Sequence, residues 1–276
     1  PMPRSFSDRL RSIQQEKASA VCVGLDPDPD RLPAAVLKGH SLPNAVRAFC
    51  DAVVDATAPF AAAFKVNLAF FEALGRQGPA VLHDVAARIP DDCLLIADAK
   101  RGDIGNSARF YARALFDDLD ADACTVAPYM GRDAVLPFLE RPGTAAFVLG
   151  RTSNPGAADL QDACTCGGVP LYLHVARTVA AWSSEATATG GLVVGATAPD
   201  ALAELRAACP SLPFLIPGVG AQGGDPEAVM NAAATDDGLV LVNSSRSILY
   251  ASDGEDFAAA SAAAACALKD ALGAPV

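Results

Sequence analysis

The chain predicts an α/β fold, a single-domain (β/α)8 TIM barrel, and three observations predict it. Short apolar runs alternate about eight times with amphipathic stretches, the pattern of parallel strands joined by crossover helices. The 276 residues suit a closed barrel, which takes about 250. The Pro/Gly clusters "DPDPD", "NPG" and "PGVGAQGGDP" fall where apolar runs end. No shift in composition divides the chain, so residues 1–276 read as one domain. Pro1 precedes Met2 and is set aside as an added residue.

The strands are expected at residues 20–25, 63–67, 93–97, 123–126, 145–149, 192–195, 214–217 and 238–243. Each is a short, mostly apolar run of the kind a buried parallel strand needs. Helices are expected at 42–58, 70–88, 107–119, 170–184, 198–209, 226–233 and 257–272. Ala, Leu and Arg dominate these stretches, and all three favour helix.

Composition narrows the class. Apolar residues make up 51% and charged residues 19%, enough for a sizeable core and against disorder. The balance of 21 Lys+Arg against 32 Asp+Glu, a net charge of −11, argues against nucleic acid or an anionic membrane as partner. A small anion in a locally basic pocket stays compatible with it. The eight cysteines are dispersed, and the close pair Cys164/Cys166 lacks the second pair a structural zinc site needs. Free thiols in a reducing cytoplasm are expected. Arg9, Arg11 and Glu16 interrupt the N-terminus early, so no secretory leader is expected. The Ala-rich stretch 257–268 is shorter than the about 20 residues a membrane span takes.

Polar residues fall at the ends of the predicted strands. Asp26 ends the first, Lys65 and Asn67 the second, Asp98 and Lys100 the third. Ser153 and Asn154 follow the fifth, Gly218 and Gln222 the seventh, Arg246 the eighth. In a barrel these ends meet at one mouth, where active sites are built.

The densest group is "DAKRGDIGNSA" at 98–108, entered directly from an apolar run. Alternation puts Asp98 and Lys100 on one face and Ala99 on the other. On a barrel strand that face points inward, where two charges must pair to offset desolvation. An ion pair that merely caps the barrel is one reading; a catalytic pair is the other. Lys65 alone could snorkel to water, but beside Asp98 and Lys100 it reads as functional. Arg101 is left as an ordinary solvated charge.

"PGVGAQGG" carries G-x-G-x-x-G at Gly218, Gly220 and Gly223. It follows the seventh strand instead of opening a βαβ unit, so a dinucleotide site is rejected. Loops after strands seven and eight often hold phosphate in barrels. Here they contain these glycines and "VNSSRSI" with Ser245 and Arg246, a charge-assisted donor. His40, His83 and His174 sit in or near helices, which leaves a Ser-His-Asp triad without support. Asp26, Asp98 and Asp103 could hold Mg²⁺, but Lys65 and Lys100 compete for the same carboxylates.

"GLDPDPD", "FKVN", "DAKRGDIGNSA", "RTSNPGA", "PGVGAQGG" and "VNSSRSI", in this order over residues 20–250, together resemble the orotidine 5′-phosphate decarboxylase family, in the spelling of its longer bacterial branch, type 2. The D-x-K-x-x-D motif is shared with related sugar-phosphate barrels; "TSNPGA" and "PGVGAQGG" narrow the resemblance to the decarboxylase. It implies a homodimeric barrel that converts orotidine 5′-phosphate to UMP and CO2 in pyrimidine biosynthesis, without metal or cofactor. Lys100 matches the lysine that protonates C6, Asp98 the carboxylate set against the substrate carboxylate, and Lys65 completes the array. Asp103 matches an acid contributed to the partner's site, with Ser107 its ribose-contacting neighbour, where the family more often has Thr. Asp26 resembles a ribose ligand, Ser153 a pyrimidine contact, and Gln222 and Arg246 phosphate ligands, with Asn67, Gly220 and Ser245 among the substrate contacts. Two other readings stay open: a metal-dependent sugar-phosphate lyase on the same barrel, and a catalytically silent nucleotide-binding barrel.

Overall fold

The computed structural model describes residues 4–220, 223–236 and 239–275. Among them eight parallel strands close in sequence order: β1 (Val21–Leu25), β2 (Ala63–Asn67), β3 (Leu94–Arg101), β4 (Ala123–Val126), β5 (Ala145–Arg151), β6 (Thr189–Val194), β7 (Phe214–Pro217) and β8 (Val240–Ser244). Val21 lies opposite Val242, which joins β8 back to β1 and leaves no sheet edge. Helices Leu42–Thr57, Gly78–Arg88, Gly105–Arg113, Leu171–Ser184, Pro199–Ala208, Pro226–Ala233 and Phe257–Leu272 flank the strands. The expected (β/α)8 barrel is the observed one. Among the described residues no helix is long and apolar enough to cross a membrane.

Alternation along each strand separates two cores. Val21, Val23, Phe64, Val66, Leu95, Ala97, Val148, Ile216 and Val242 point outward to the helices. Cys22, Ala63, Leu94, Ile96, Ala123, Phe147, Val193, Leu215 and Leu241 fill the interior, a packed core and not a pore. One more step of the same period brings Lys65, Asp98 and Thr125 inward, one layer above.

Three expectations are corrected. The stretch 70–88 is not one helix: Gly75 takes φ +68°, the left-handed region open to glycine, and separates Leu68–Glu72 from Gly78–Arg88. β3 runs on to Arg101 instead of ending at Ala97. β6 begins at Thr189, not Leu192, and includes Gly191, where a side chain would meet the Phe147 ring at 2.7 Å. Of the eighth predicted strand, Gly238 lies outside the described residues.

The alternation assigns no element to the N-terminus, yet Phe6–Lys17 is a helix. Ser5 caps it by accepting the Asp8 N–H, which satisfies one orphan donor of the first turn. Its Phe6, Leu10 and Ile13 belong to the interior cluster, with the Phe6 ring edge-on to Phe147 at 5.8 Å. Buried Gln14 donates from Nε2 to the Val240 carbonyl at 2.7 Å. The helix closes the barrel at the N-terminal ends of its strands. Phe6→Ala is expected to lower unfolding stability by about 3–5 kcal/mol, measured by urea denaturation. An unchanged midpoint and slope would show that the helix does not close the floor.

Candidate functional site

A cavity of about 490 Å³ opens at the C-terminal ends of the strands. Asp26, Lys65, Asn67, Asp98, Lys100, Ser153 and Arg246 line it, where the strand-end reading puts them, and so does Ser245 of the loop after β8. Gly220 lies in the β7 loop at φ +82°, and a side chain there would meet Ser247 Oγ at 2.5 Å. Glycine thus lets the loops after β7 and β8 close on each other. Asp103 and Ser107 are not in the cavity wall; Asp103 accepts from its neighbour Ile104 N–H at 2.8 Å, and Ser107 is exposed. Gln222 lies outside the described residues.

Four charges form an alternating row. Lys65 Nζ lies 3.7 Å from Asp26 Oδ1 and 3.0 Å from Asp98 Oδ2, and Lys100 Nζ lies 2.6 Å from Asp98 Oδ1. Lys65 and Asp98 side chains are 5% and 7% exposed, whereas Lys100 is 49% exposed. Lys100 is therefore the end of the row that a ligand reaches first. Asp26 Oδ1 is buried with no hydrogen-bond donor on it, an acceptor suited to a ligand hydroxyl.

Burial presses both inner groups toward neutrality, and their neighbours overrule it. For Asp98, desolvation is outweighed by the Lys65 and Lys100 ammonium groups and their hydrogen bonds, which hold its carboxyl well below the usual carboxylate range. For Lys65, desolvation is outweighed by the carboxylates of Asp26 and Asp98, which keep its ammonium above the ordinary lysine range. Both stay charged at neutral pH.

Alternation paired Asp98 with Lys100 correctly but missed how the backbone achieves it. Lys100 has φ +45°, outside any regular strand, and the β3/β4 register shifts between Ala97 and Arg101. The residue facing this irregularity is Thr125, buried, whose Oγ1 donates to Asp98 Oδ1 at 2.8 Å. The reading by strand ends passed over Thr125 because it lies inside β4; its hydroxyl in the run "ACTV" was the available signal. Gln161 was also missed: it lines the cavity and its side chain accepts the Thr152 N–H at 2.8 Å. Arg101 is not simply solvated, since it pairs with Glu72 Oε1 at 2.6 Å and lies 5.2 Å from the Tyr111 ring.

Removing one member of a buried pair strands the other. Lys65→Met is expected to destabilise the fold by about 3–5 kcal/mol at pH 7, read by urea denaturation. A folded carboxyl held below its unfolded value contributes stability that is present above about pH 4 and lost as pH falls below it. The difference between wild type and variant should therefore narrow in that acid range. A pH-independent difference would show that Asp98 is not the group Lys65 stabilises.

The family model described as "Orotidine 5′-phosphate decarboxylase / HUMPS family" matches residues 19–261. An orotidine 5′-phosphate decarboxylase of Roseiflexus castenholzii is 47% identical over 272 residues, 98% of each chain. One of Azoarcus sp. is 48% identical over 273 residues, again 98% of each. The structure of Leishmania donovani OMP decarboxylase superimposes with a TM-score of 0.81 at 37% identity, covering 97% of this chain and 100% of that one.

Proposed function

The chain belongs to the orotidine 5′-phosphate decarboxylase / HUMPS family, and we propose that it converts orotidine 5′-phosphate to UMP and CO2 through its Lys/Asp row, with no metal or cofactor. It is a carbon–carbon lyase, and its decarboxylase relatives place it in pyrimidine biosynthesis. The observation that carries the mechanism is the row itself, with two buried charges ending in an accessible ammonium.

Breaking the C6–carboxylate bond leaves the electron pair in an in-plane orbital on C6, which the ring's π system cannot spread. Lys100 supplies a fixed positive charge where that pair develops. Its Nζ then gives a proton to C6, and water restores the proton to the amine. Asp98 faces the departing carboxylate, and its repulsion falls as neutral CO2 forms. Lys65 keeps Asp98 ionised for that role. Asp26 takes a ribose hydroxyl, and Ser153 meets the pyrimidine. Asn67 Oδ1 is occupied by the Ala69 N–H at 3.2 Å, so its amide nitrogen is the group left for substrate. Gly220, Ser245, Arg246 and Gln222 receive the phosphate. Binding at this remote group offsets the repulsion at the reacting centre.

The same reading makes the protein a cytoplasmic homodimer with no nucleic-acid or membrane partner. Asp103 and Ser107 complete the partner's site. Ile104 and Phe110, each 58% exposed, flank them, and apolar exposure of this kind beside polar groups suits an interface.

In excess EDTA the protein should consume orotidine 5′-phosphate with loss of orotate absorbance. Lys100→Ala should abolish turnover yet still bind UMP by calorimetry. No turnover by wild type in EDTA would overturn the metal-free reading, and a near-normal rate for the variant would overturn Lys100 as proton donor. Mixing inactive Lys100→Ala and Asp103→Ala chains should restore about a quarter of wild-type activity, since half the dimers become hybrids with one complete site. No recovery after confirmed subunit exchange would rule out a shared site.

A further inference from the structure

We propose that Thr125 is a positioning residue whose hydroxyl takes the place of a missing stretch of sheet and so aims Lys100. Ala97 of β3 lies opposite Cys124 of β4, and the next matched pair is Arg101 opposite Val126. Asp98, Ala99 and Lys100 therefore stand against Thr125 alone. The ladder resumes beyond them, with Ala127 N–H donating to the Arg101 carbonyl at 2.8 Å. A bulge of this kind bends the strand and re-aims its side chains.

Within the bulge the Lys100 N–H has no β4 carbonyl; it donates instead to Thr125 Oγ1 at 2.9 Å. Because that oxygen accepts from a backbone N–H, its own hydrogen is free for the Asp98 carboxylate, 2.8 Å away. A threonine hydroxyl has a single hydrogen to give, so Thr125 has none left for a ligand although it lines the cavity. One buried group thus fixes both the backbone of Lys100 and the carboxylate that Lys100 touches. The left-handed φ of +45° at Lys100 is a conformation that persists only when its surroundings impose it. On the other side β3 is pinned regularly, with Asn67 opposite Asp98. Thr125 is the hold on the free side.

The backbone part of this inference stands by itself, and its catalytic part rests on the decarboxylase reading. Thr125→Val keeps the branched shape and removes the hydroxyl; Thr125→Ser keeps the hydroxyl and removes the methyl. In wild type the Lys100 amide, followed by NMR, should resist hydrogen exchange. It should exchange at least about tenfold faster in Thr125→Val and return to slow exchange in Thr125→Ser. For orotidine 5′-phosphate turnover, Thr125→Val should lose about 10- to 100-fold in kcat with KM within about threefold. Thr125→Ser should recover kcat to within about threefold of wild type. Should the valine variant not fold, Thr125→Ala replaces it with the same expectations. Unchanged exchange and kcat in the hydroxyl-free variant would overturn the proposal. So would a serine variant as impaired as the valine one, because packing of the methyl would then be the cause. If wild type itself does not turn over orotidine 5′-phosphate, the functional reading fails, and the exchange result still decides the placement of Thr125.

Discussion

Everything at the mouth of this barrel depends on keeping one carboxylate, that of Asp98, ionised above an apolar core. Left alone there, it would take up a proton or expel itself toward water. Three donors prevent this: Lys65 on Oδ2, with Lys100 and Thr125 on Oδ1. They come from three adjacent strands, so the charge state of a single side chain rests on the mutual register of β2, β3 and β4. Breaking the pair strands a charge, yet replacing the whole group by apolar residues would often leave a barrel as stable or more so. Stability is thus a poor reason for the row to exist, and chemistry is a better one.

The barrel beneath supplies the other half of the environment. Below the charged layer the interior is aliphatic and aromatic, and the helix Phe6–Lys17 closes its lower end with Phe6, Leu10 and Ile13. Water is thereby kept from reaching the row from below, and the fields of Lys65 and Asp98 act at low effective dielectric, where they are strongest. Gly24 in β1 leaves room for Ser245, and Gly220 after β7 leaves room for Ser247, so the segment after β8 packs closely against both neighbours.

Much of this could be read along the chain. The eight strands, the inward direction of Lys65 and Asp98, and the strand-end positions of Asp26, Asn67, Ser153 and Arg246 all follow from apolar runs and a period of two. Those are properties of a residue and its near neighbours. The closing helix was not legible, because its apolar face has no meaning until the barrel offers an open end to cover. The split at Gly75 was hidden inside a continuous helical pattern.

What tertiary structure alone decided is the way Lys100 is held. Alternation reaches the right pairing on the assumption of a regular strand, but the strand is bulged, and its missing ladder bond is supplied by a hydroxyl 25 residues further on. The sequence by itself determined that Lys65 and Asp98 face inward, since along a regular strand side-chain direction is set by the chain's own pleat. Only closure of the barrel determined which atoms those charges meet, because distance across strands is a matter of register, and register is a property of the whole sheet.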